Sequence, residues 1–274
     1  MRKIIGLAAP ARSGKDTVAA VLLKQPGVAA YALADPLKMG CQALWGLSDE
    51  QTWSDDLKEQ PIALWQRSPR ELFQQVGTEW MRERTADHWL MRAELAINPP
   101  AGRATDDGFV VDLNATQAPF RLAAQAFFGF SDAQLWDERL SGQIDPYWSI
   151  TPRSAVEFLS ARALALYSDY AVRRAASTVA LSRPLSSLPD EAHTIIIKDI
   201  RYENEAAYLR QHNGRIWHIR RPNPQRVNPH SSESGIEIQP QDILIDNDQT
   251  IDVLAERVMS AWKMSQPLCS KSIP

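Results

Sequence analysis

Short apolar runs alternate along this chain with longer amphipathic stretches. The runs are followed by polar residues, as in strands of a parallel sheet, and they cover residues 3–8, 28–34, 194–198, 216–220 and 243–245. Most stretches between them have helical spacing. The alternation predicts an α/β protein in three layers, with a mostly parallel, five-stranded, doubly wound sheet and an inserted helical segment.

The first predicted strand leads into a loop of small residues that ends in Gly14-Lys15-Asp16-Thr17, and a predicted helix follows. This is the order of a P-loop, in which backbone N–H groups and a lysine surround phosphate groups. The match to G-x-x-x-x-G-K-[ST] is incomplete, because Ala9 replaces the first glycine and Asp16 the hydroxyl residue. A strand-to-helix turn without a ligand is the alternative. The flanking strand and helix favour the phosphate site.

Two serines mark predicted helix starts in the region after the second strand. Ser48 precedes two acidic residues, and Ser68 precedes a proline at the first helical position and Glu71 at the third. On the helix after Ser68, Arg70, Gln74 and Gly77 are spaced i, i+4, i+7. This spacing predicts that the three residues share one helix face.

The helical region contains an internal repeat. Residues 36–70 align without a gap with residues 119–153, and 13 of the 35 positions are identical, where average residue usage gives roughly two. A duplicated helical segment is therefore expected. The second copy has Ala118 in place of Asp35 but retains Arg153 at the position of Arg70. We expect the first copy to carry the chemistry and the second to serve as helical cover.

Composition excludes several classes of protein. The net charge of -3 gives no general attraction to a nucleic-acid polymer, and no apolar run approaches the ~20 residues of a membrane span. The two cysteines, Cys41 and Cys269, lie far apart, as expected for a reducing compartment. The sequence therefore favours a cytoplasmic protein without a membrane partner.

Seven short motifs, in this order, together resemble the phage-type deoxynucleoside monophosphate kinases of the P-loop kinase superfamily. They are Arg12-Ser13-Gly14-Lys15-Asp16-Thr17, Ala34-Asp35-Pro36-Leu37-Lys38, Arg70-x3-Gln74-x2-Gly77-Thr78-Glu79, Asp199-x-Arg201-x2-Asn204-Glu205, Arg220-Arg221-Pro222, His230-x2-Glu233 and Asp246-Asn247-Asp248. The resemblance covers about residues 1–92 and 193–262. It implies one P-loop kinase domain over 1–274, with a helical substrate-binding segment at 36–92. The insert at 93–192 contains the degenerate copy of 36–70.

The resemblance implies transfer of the γ-phosphoryl group of ATP to a deoxynucleoside monophosphate, with Mg²⁺. The ATP-binding residues would be Arg12, Ser13, Gly14, Lys15, Asp16, Thr17 and Asn247. The substrate-binding residues would be Asp35, Lys38, Arg70, Gln74, Gly77, Thr78, Trp89, Arg201 and Glu205. The catalytic residues would be Lys15, Arg70, Asp199 and Arg201, with Asp16 or Asp199 at the metal and Arg220 or Arg221 in a lid.

Each of these roles has a plainer alternative. Arg70 could form a surface ion pair, Trp89 could be a core residue, and Asp199 could pair with Arg201. His230 and Glu233 lack a third metal ligand and favour a hydrogen bond within a loop.

Alternatives to the function as a whole also stay open. Another small-molecule P-loop kinase, such as a dephospho-coenzyme A or nucleoside kinase, and a nucleotide-binding protein without turnover are the rivals. The sequence leaves open the base and sugar specificity and the choice between a monomer and a homodimer.

Overall fold

The computed structural model describes residues 1–10, 13–100, 109–180, 188–212, 214–222 and 236–265. The chain divides into two compact units. The sheet unit consists of Met1–Ala32 and Leu188–Pro274, and the helical unit of Leu33–Ser187.

All strands of the described residues belong to one sheet. They are β1 Lys3–Ala8, β2 Val28–Tyr31, β3 Thr194–Ile200, β4 Arg215–Arg220 and β5 Ile243–Asp246. Their order is β2-β3-β1-β4-β5, and every pairing is parallel. The predicted parallel α/β sheet is confirmed, with β1 at its centre.

The helices of the described residues are numbered along the chain. They are α1 Lys15–Leu22, α2 Ala34–Trp45, α3 Asp49–Trp53, α4 Pro69–Gln74, α5 His88–Ile97, α6 Ala118–Phe128, α7 Asp132–Trp136, α8 Glu138–Ser141, α9 Pro152–Leu166, α10 Tyr170–Ala175, α11 Glu203–Gln211 and α12 Ile251–Ser265. None of them is long and apolar enough to cross a membrane.

The sheet is the middle layer of the sheet unit. Ile5 and Leu7 of β1 are fully buried in a core that also contains residues of α1 and α12. Gly6 faces the opposite side, where a Cβ atom would lie 2.8 Å from Leu209 of α11. Because neighbouring strand residues point to opposite faces, helices cover the sheet on both sides.

Two strand ends differ from the sequence prediction. The strand predicted at 28–34 ends at Tyr31, so Asp35 does not follow a strand but lies in the first turn of α2. An acidic residue and a proline are both favourable in a first helical turn, which explains the early helix start. In the other case β3 continues to Ile200, so Asp199 lies within the strand.

A buried polar cluster joins three elements of the sheet unit. The fully buried carboxylate of Asp242 accepts hydrogen bonds from Arg210 Nη2 at 2.6 Å and His218 Nε2 at 3.0 Å. It also accepts one from the backbone N–H of Gln239 at 2.9 Å. Burial alone raises the pKa of Asp242, but the hydrogen bonds from Arg210, Gln239 and His218 outweigh it and hold the pKa below its ordinary value. The cluster connects α11, β4 and the segment before β5.

In the helical unit, the two copies of the repeat have the same local structure. Helices α3 and α7 begin 83 residues apart, and each follows a serine that forms a capping box with a glutamine at the third position. The preceding helices, α2 and α6, both end at a left-handed glycine, with φ of 62° at Gly46 and 66° at Gly129. Matching caps at matching positions support a duplication of this segment.

The helix predicted after Ser68 changes its period. Ser68 and Glu71 form the expected capping box, and α4 ends at Gln74. Residues Gln75–Arg82 then form a π-helix. The single face predicted for Arg70, Gln74 and Gly77 assumed the α-helical period, and this period does not hold beyond Gln74. Segments of π-helix frequently occur at functional sites.

His88 at the start of α5 makes the stability of the helical unit depend on pH. Its Nε2 donates to the carbonyl oxygen of Phe127 at 3.1 Å, and burial lowers its pKa from 6.5 to about 3. At a pH between these two pKa values, the unfolded chain therefore binds a proton at His88 and the folded chain does not. This contribution to stability is complete above pH 6.5 and falls as the pH falls, by about 2 kcal/mol at pH 5.

The prediction can be tested by measuring the free energy of unfolding in urea for the parent chain and for His88→Gln between pH 5 and 8. The difference in free energy of unfolding at pH 8 reports the lost packing. Towards pH 5 the two values should converge by about 2 kcal/mol, because only the parent loses this term. A constant difference over this range contradicts the neutral, buried state of His88.

Candidate functional site

The loop after β1 leads directly into α1 through a left-handed residue. Gly14 is the N-cap of α1 and has φ 97° and ψ 18°, a conformation that glycine adopts without steric cost. Lys15 is the first residue of α1, and its Nζ donates to the carbonyl oxygen of Ala9 at 3.2 Å. The lysine thus closes the loop across its base. A helix N-terminus and a lysine ammonium at one place form an environment suited to an anion.

A cavity of about 400 Å³ opens at this helix N-terminus. It is lined by Gly14, Lys15, Asp16, Thr17, Arg221, Asn247, Gln249, Ile251 and Leu254. Its volume is in the range of small-molecule sites, and its lining combines two cations, backbone N–H groups and an apolar side. The cavity lies at the edge where the parallel strands end, which is the ordinary ligand position in such sheets.

Asn247 connects the end of β5 to the loop after β1. Its Nδ2 donates to the carbonyl oxygen of Ser13 at 2.9 Å, and its backbone N–H donates to the carbonyl oxygen of Arg220 at 2.7 Å. Asn247 Nδ2 is also the atom nearest to Gly14, where a Cβ atom would lie 2.5 Å away. A side chain at position 14 would therefore displace Asn247 as well as strain the backbone.

The loop also contains a buried hydroxyl group without a visible role. Ser13 is 1% exposed, and its Oγ has no hydrogen-bond partner among the described residues. Buried polar atoms normally have partners, so an unsatisfied hydroxyl group next to Gly14, which lines the cavity, fits a loop that binds a polar ligand. This observation, with Gly14 and the first turn of α1, fits a phosphate chain.

Few side chains are available to bind the predicted Mg²⁺ ion. In the described part of the chain, no three His, Cys, Asp or Glu side chains form a cluster that could hold a metal ion. Mg²⁺ at phosphoryl sites is usually bound by one or two carboxylates and the substrate phosphates, so a complete protein cage is not required. Asp16 lines the cavity and fits this arrangement. The side chain of Asp199 and all of Arg12, His230 and Glu233 lie outside the described residues.

The two candidate lid arginines occupy different environments. Arg220, the last residue of β4, donates from Nε to Asp246 Oδ1 at 2.9 Å and forms an ion pair with the same carboxylate. Arg221 is exposed and lines the cavity. Of the two, Arg221 is therefore better placed to contact a ligand there.

Arg201 and Glu205 follow β3. Arg201 is exposed, whereas Glu205 is buried, and its Oε2 accepts hydrogen bonds from the backbone N–H groups of Arg201 at 2.9 Å and Tyr202 at 3.2 Å. Glu205 thereby caps the N-terminus of α11 through the backbone N–H groups of its N-cap residue, Tyr202, and of the residue before it. Glu205 thus stabilises the start of α11 in this structure. Its contact with substrate stays a prediction.

The predicted acceptor residues of the helical unit fall into exposed and buried groups. Arg70 is exposed and forms an ion pair with Glu59, so the surface ion pair considered as its alternative role is present. Gln74 and Thr78 are exposed, and Asp35 and Lys38 are half-buried, with Lys38 Nζ 5.1 Å from the ring centre of Trp53.

Gly77 and Trp89 are buried and contact each other. A Cβ atom at Gly77 would lie 2.7 Å from Leu37 of α2, so the glycine allows close packing. Trp89 is 6% exposed, and its Nε1 donates to the carbonyl oxygen of Gly77 at 3.1 Å. Both are core residues in this structure, and a stacking role for Trp89 would require its ring to become accessible.

Three cavity residues were not predicted from the sequence. Gln249 lies between β5 and α12, and Ile251 and Leu254 lie in the first turn of α12. The amphipathic pattern of α12 indicated a core-facing helix, and part of that apolar face lines the cavity. The proximity of the helix start to Asn247 was the available signal.

The part of this chain that is similar to known proteins contains the residues at the ends of β3, β4 and β5. Residues 177–258 match the family model of deoxynucleotide monophosphate kinases. The predicted resemblance is confirmed over this segment, which contains β3, β4, β5 and residues Arg201, Glu205, Arg221 and Asn247. The loop at 9–17 and the helical unit up to residue 176 lie outside the match.

One curated protein of Acanthamoeba polyphaga mimivirus is also similar. It is named "Putative deoxynucleotide monophosphate kinase" and is 40% identical over 82 residues, which are 29% of this chain and 42% of the relative. The chain thus matches less than half the length of this relative.

Proposed function

We propose that this protein is a deoxynucleoside monophosphate kinase that transfers the γ-phosphoryl group of ATP to a dNMP, giving dNDP and ADP. One observation carries the proposal: a single cavity joins the start of α1 to Arg221 and Asn247. Those two residues lie in the segment that matches the family. The loop and Lys15 lie outside the matched segment, so their place at the same cavity is independent support for a nucleotide site.

The donor phosphates would bind to the loop and the first turn of α1. Backbone N–H groups of Gly14 to Thr17 would donate to phosphate oxygens, and Lys15 would neutralise charge that develops during transfer. Exchange of the Lys15 bond to Ala9 for a bond to phosphate would require only a side-chain movement. Arg221 would add a second cation, and the apolar start of α12 would contact the base.

The metal would act with the phosphates. Mg²⁺ neutralises phosphate oxygens when it is bound. Asp16, at the edge of the cavity, would orient it or its water ligands. Asp199 stays an alternative for the same task.

The acceptor would be held by the helical unit. Arg70 is the candidate for its phosphate, because a guanidinium binds phosphate through two parallel hydrogen bonds. Its pair with Glu59 is exposed and costs little to break. Exposed Gln74 and Thr78 would contact the base, and Asp35 and Lys38 the sugar or phosphate.

The repeat offers a matched pair of variants for the acceptor site. Arg70→Ala should raise the KM for dNMP by about tenfold or more, because a charge-assisted bidentate contact is lost. Arg153→Ala changes the same residue type at the corresponding position of the second copy and should leave this KM within about twofold. Steady-state kinetics of ADP release measure both. A large rise for Arg153→Ala would show that the second copy joins the site.

Substrate panels separate the proposal from its rivals. Coupled ADP-release assays across dNMPs, NMPs, nucleosides and dephospho-coenzyme A should show the highest kcat/KM with a dNMP. Preference for dephospho-coenzyme A or a nucleoside favours another small-molecule kinase. Binding of ATP without turnover for any acceptor favours a non-catalytic nucleotide-binding protein.

A further inference from the structure

The two halves of the helical unit support each other through the same set of contacts. In the first half, α5 follows the first copy of the repeat, and in the second half, α10 follows the second copy. Helix α5 contacts the end of α6, and α10 contacts the end of α2. Each half therefore contributes its last helix to the other half.

The hydrogen bonds of this exchange match position by position. Tyr170 of α10 donates its hydroxyl to the carbonyl oxygen of Leu44 at 2.7 Å, and His88 of α5 donates to that of Phe127 at 3.1 Å. Leu44 and Phe127 are 83 residues apart, and His88 and Tyr170 are 82 apart. Two independent helix–helix contacts do not produce such a match, so the correspondence extends the duplication beyond residues 119–153.

Two arginines make equivalent hydrogen bonds to the carbonyl groups one residue earlier in α2 and α6. Arg174 donates from Nε and Nη2 to the carbonyl oxygen of Ala43, at 3.2 and 3.1 Å, and Arg92 Nε donates to Ala126 at 2.9 Å. Carbonyl groups at a helix C-terminus lack intrahelical partners and carry partial negative charge, which a guanidinium satisfies. Arg174 is only 5% exposed, so water cannot easily replace it.

The supported helix carries an acidic predicted acceptor residue that its counterpart has lost. Helix α2 contains Asp35 in its first turn and Lys38 one turn later, whereas α6 has Ala118 at the position of Asp35. Gly40, at the middle of α2, lies against the ring of Phe127, where a Cβ atom would be 2.0 Å away. Packing by the second copy thus fixes the middle of α2, and α10 fixes its end.

We propose that the second copy acts as a built-in partner that holds α2, and that Tyr170 and Arg174 are positioning residues for the acceptor site. This inference rests on the proposed function, since α2 matters only if Asp35 and Lys38 contact the acceptor. The second copy then has a defined task although it has lost the acidic residue equivalent to Asp35.

The symmetry of the exchange provides the test. Arg174→Met and Arg92→Met remove equivalent contacts at the ends of α2 and α6 and should both lower the unfolding temperature. Only Arg174→Met should raise the KM for dNMP, by about fivefold or more, with kcat within about twofold. Tyr170→Phe, which removes a single hydroxyl group, should shift this KM in the same direction. Arg174→Lys, which keeps a charged donor, should recover part of the loss.

Hydrogen exchange gives a readout that does not need turnover. Arg174→Met should speed exchange of the amides at 38–45 in α2 more than Arg92→Met does. Equal KM values for the two variants, or equal exchange in α2, would overturn the inference. Absence of turnover in the parent chain with every acceptor would count against the proposed function instead. Exchange would then still decide whether the second copy holds α2.

Discussion

Lys15→Ala is expected to lower kcat by at least about a hundredfold while the fold stays intact. Lys15 opens α1, lines the cavity and would neutralise charge on the transferring phosphoryl group. Loss of one such electrostatic contact typically costs a factor of 10²–10³ in turnover. The measurement is the steady-state rate of ADP formation at saturating ATP and dNMP, with circular dichroism to confirm folding.

The control for this variant is Lys24→Ala. Lys24 follows α1 and is exposed, and its removal changes the net charge by the same amount. It should leave kcat within about twofold, as exposed substitutions usually do. A folded Lys15→Ala protein with near-normal turnover would remove the phosphate-binding assignment of the loop.

Asp242→Ala is expected to destabilise the sheet unit by about 3–5 kcal/mol. The substitution removes the acceptor that Arg210 and His218 share, and both side chains are nearly buried, at 12% and 8% exposure. A buried cation without its partner costs more than the pair itself contributes. Urea unfolding measures the change, and Glu256→Ala on the exposed side of α12 should stay within about 0.5 kcal/mol of the parent.

The pH dependence of the Asp242 contribution has a defined sign. Its hydrogen bonds hold the carboxyl pKa below the ordinary 3.8, so the folded state releases the proton more readily than the unfolded state. The stabilisation is present above pH 3.8 and disappears as the pH falls through the lowered value. The difference between the parent and Asp242→Ala should therefore shrink only in strong acid. A difference that vanishes at neutral pH would contradict the buried ion cluster.

The sheet and the turn from β1 into α1 were predictable because their signals are local. An apolar run and a following Gly-Lys pair determine β1, the start of α1 and the position of Lys15. It was also predictable that residues after separate strands, such as Arg221 and Asn247, lie near each other, because parallel strands end at one edge of the sheet. The caps at Ser48 and Ser68 were equally local and formed as expected.

Features that depend on tertiary packing were not predictable in this way. The π-helical turn at Gln75–Arg82 and the burial of Trp89 depend on neighbours distant in sequence, such as Leu37 and Phe127. The repeat was visible in the sequence, but the exchange of α5 and α10 was not. Only the carbonyl groups that Tyr170 and Arg174 reach reveal which half each helix completes.

The sheet order has a consequence for biosynthesis. Strand β1 pairs with β3 and β4, which begin at Thr194 and Arg215, so its partners leave the ribosome about two hundred residues later. The helical unit is one continuous stretch of the chain, so it can fold before the two strands that pair with β1 have been synthesised. Contacts of such long sequence separation form slowly. Truncation anywhere before β3 should therefore leave β1 with an apolar, unpaired edge that is prone to aggregation.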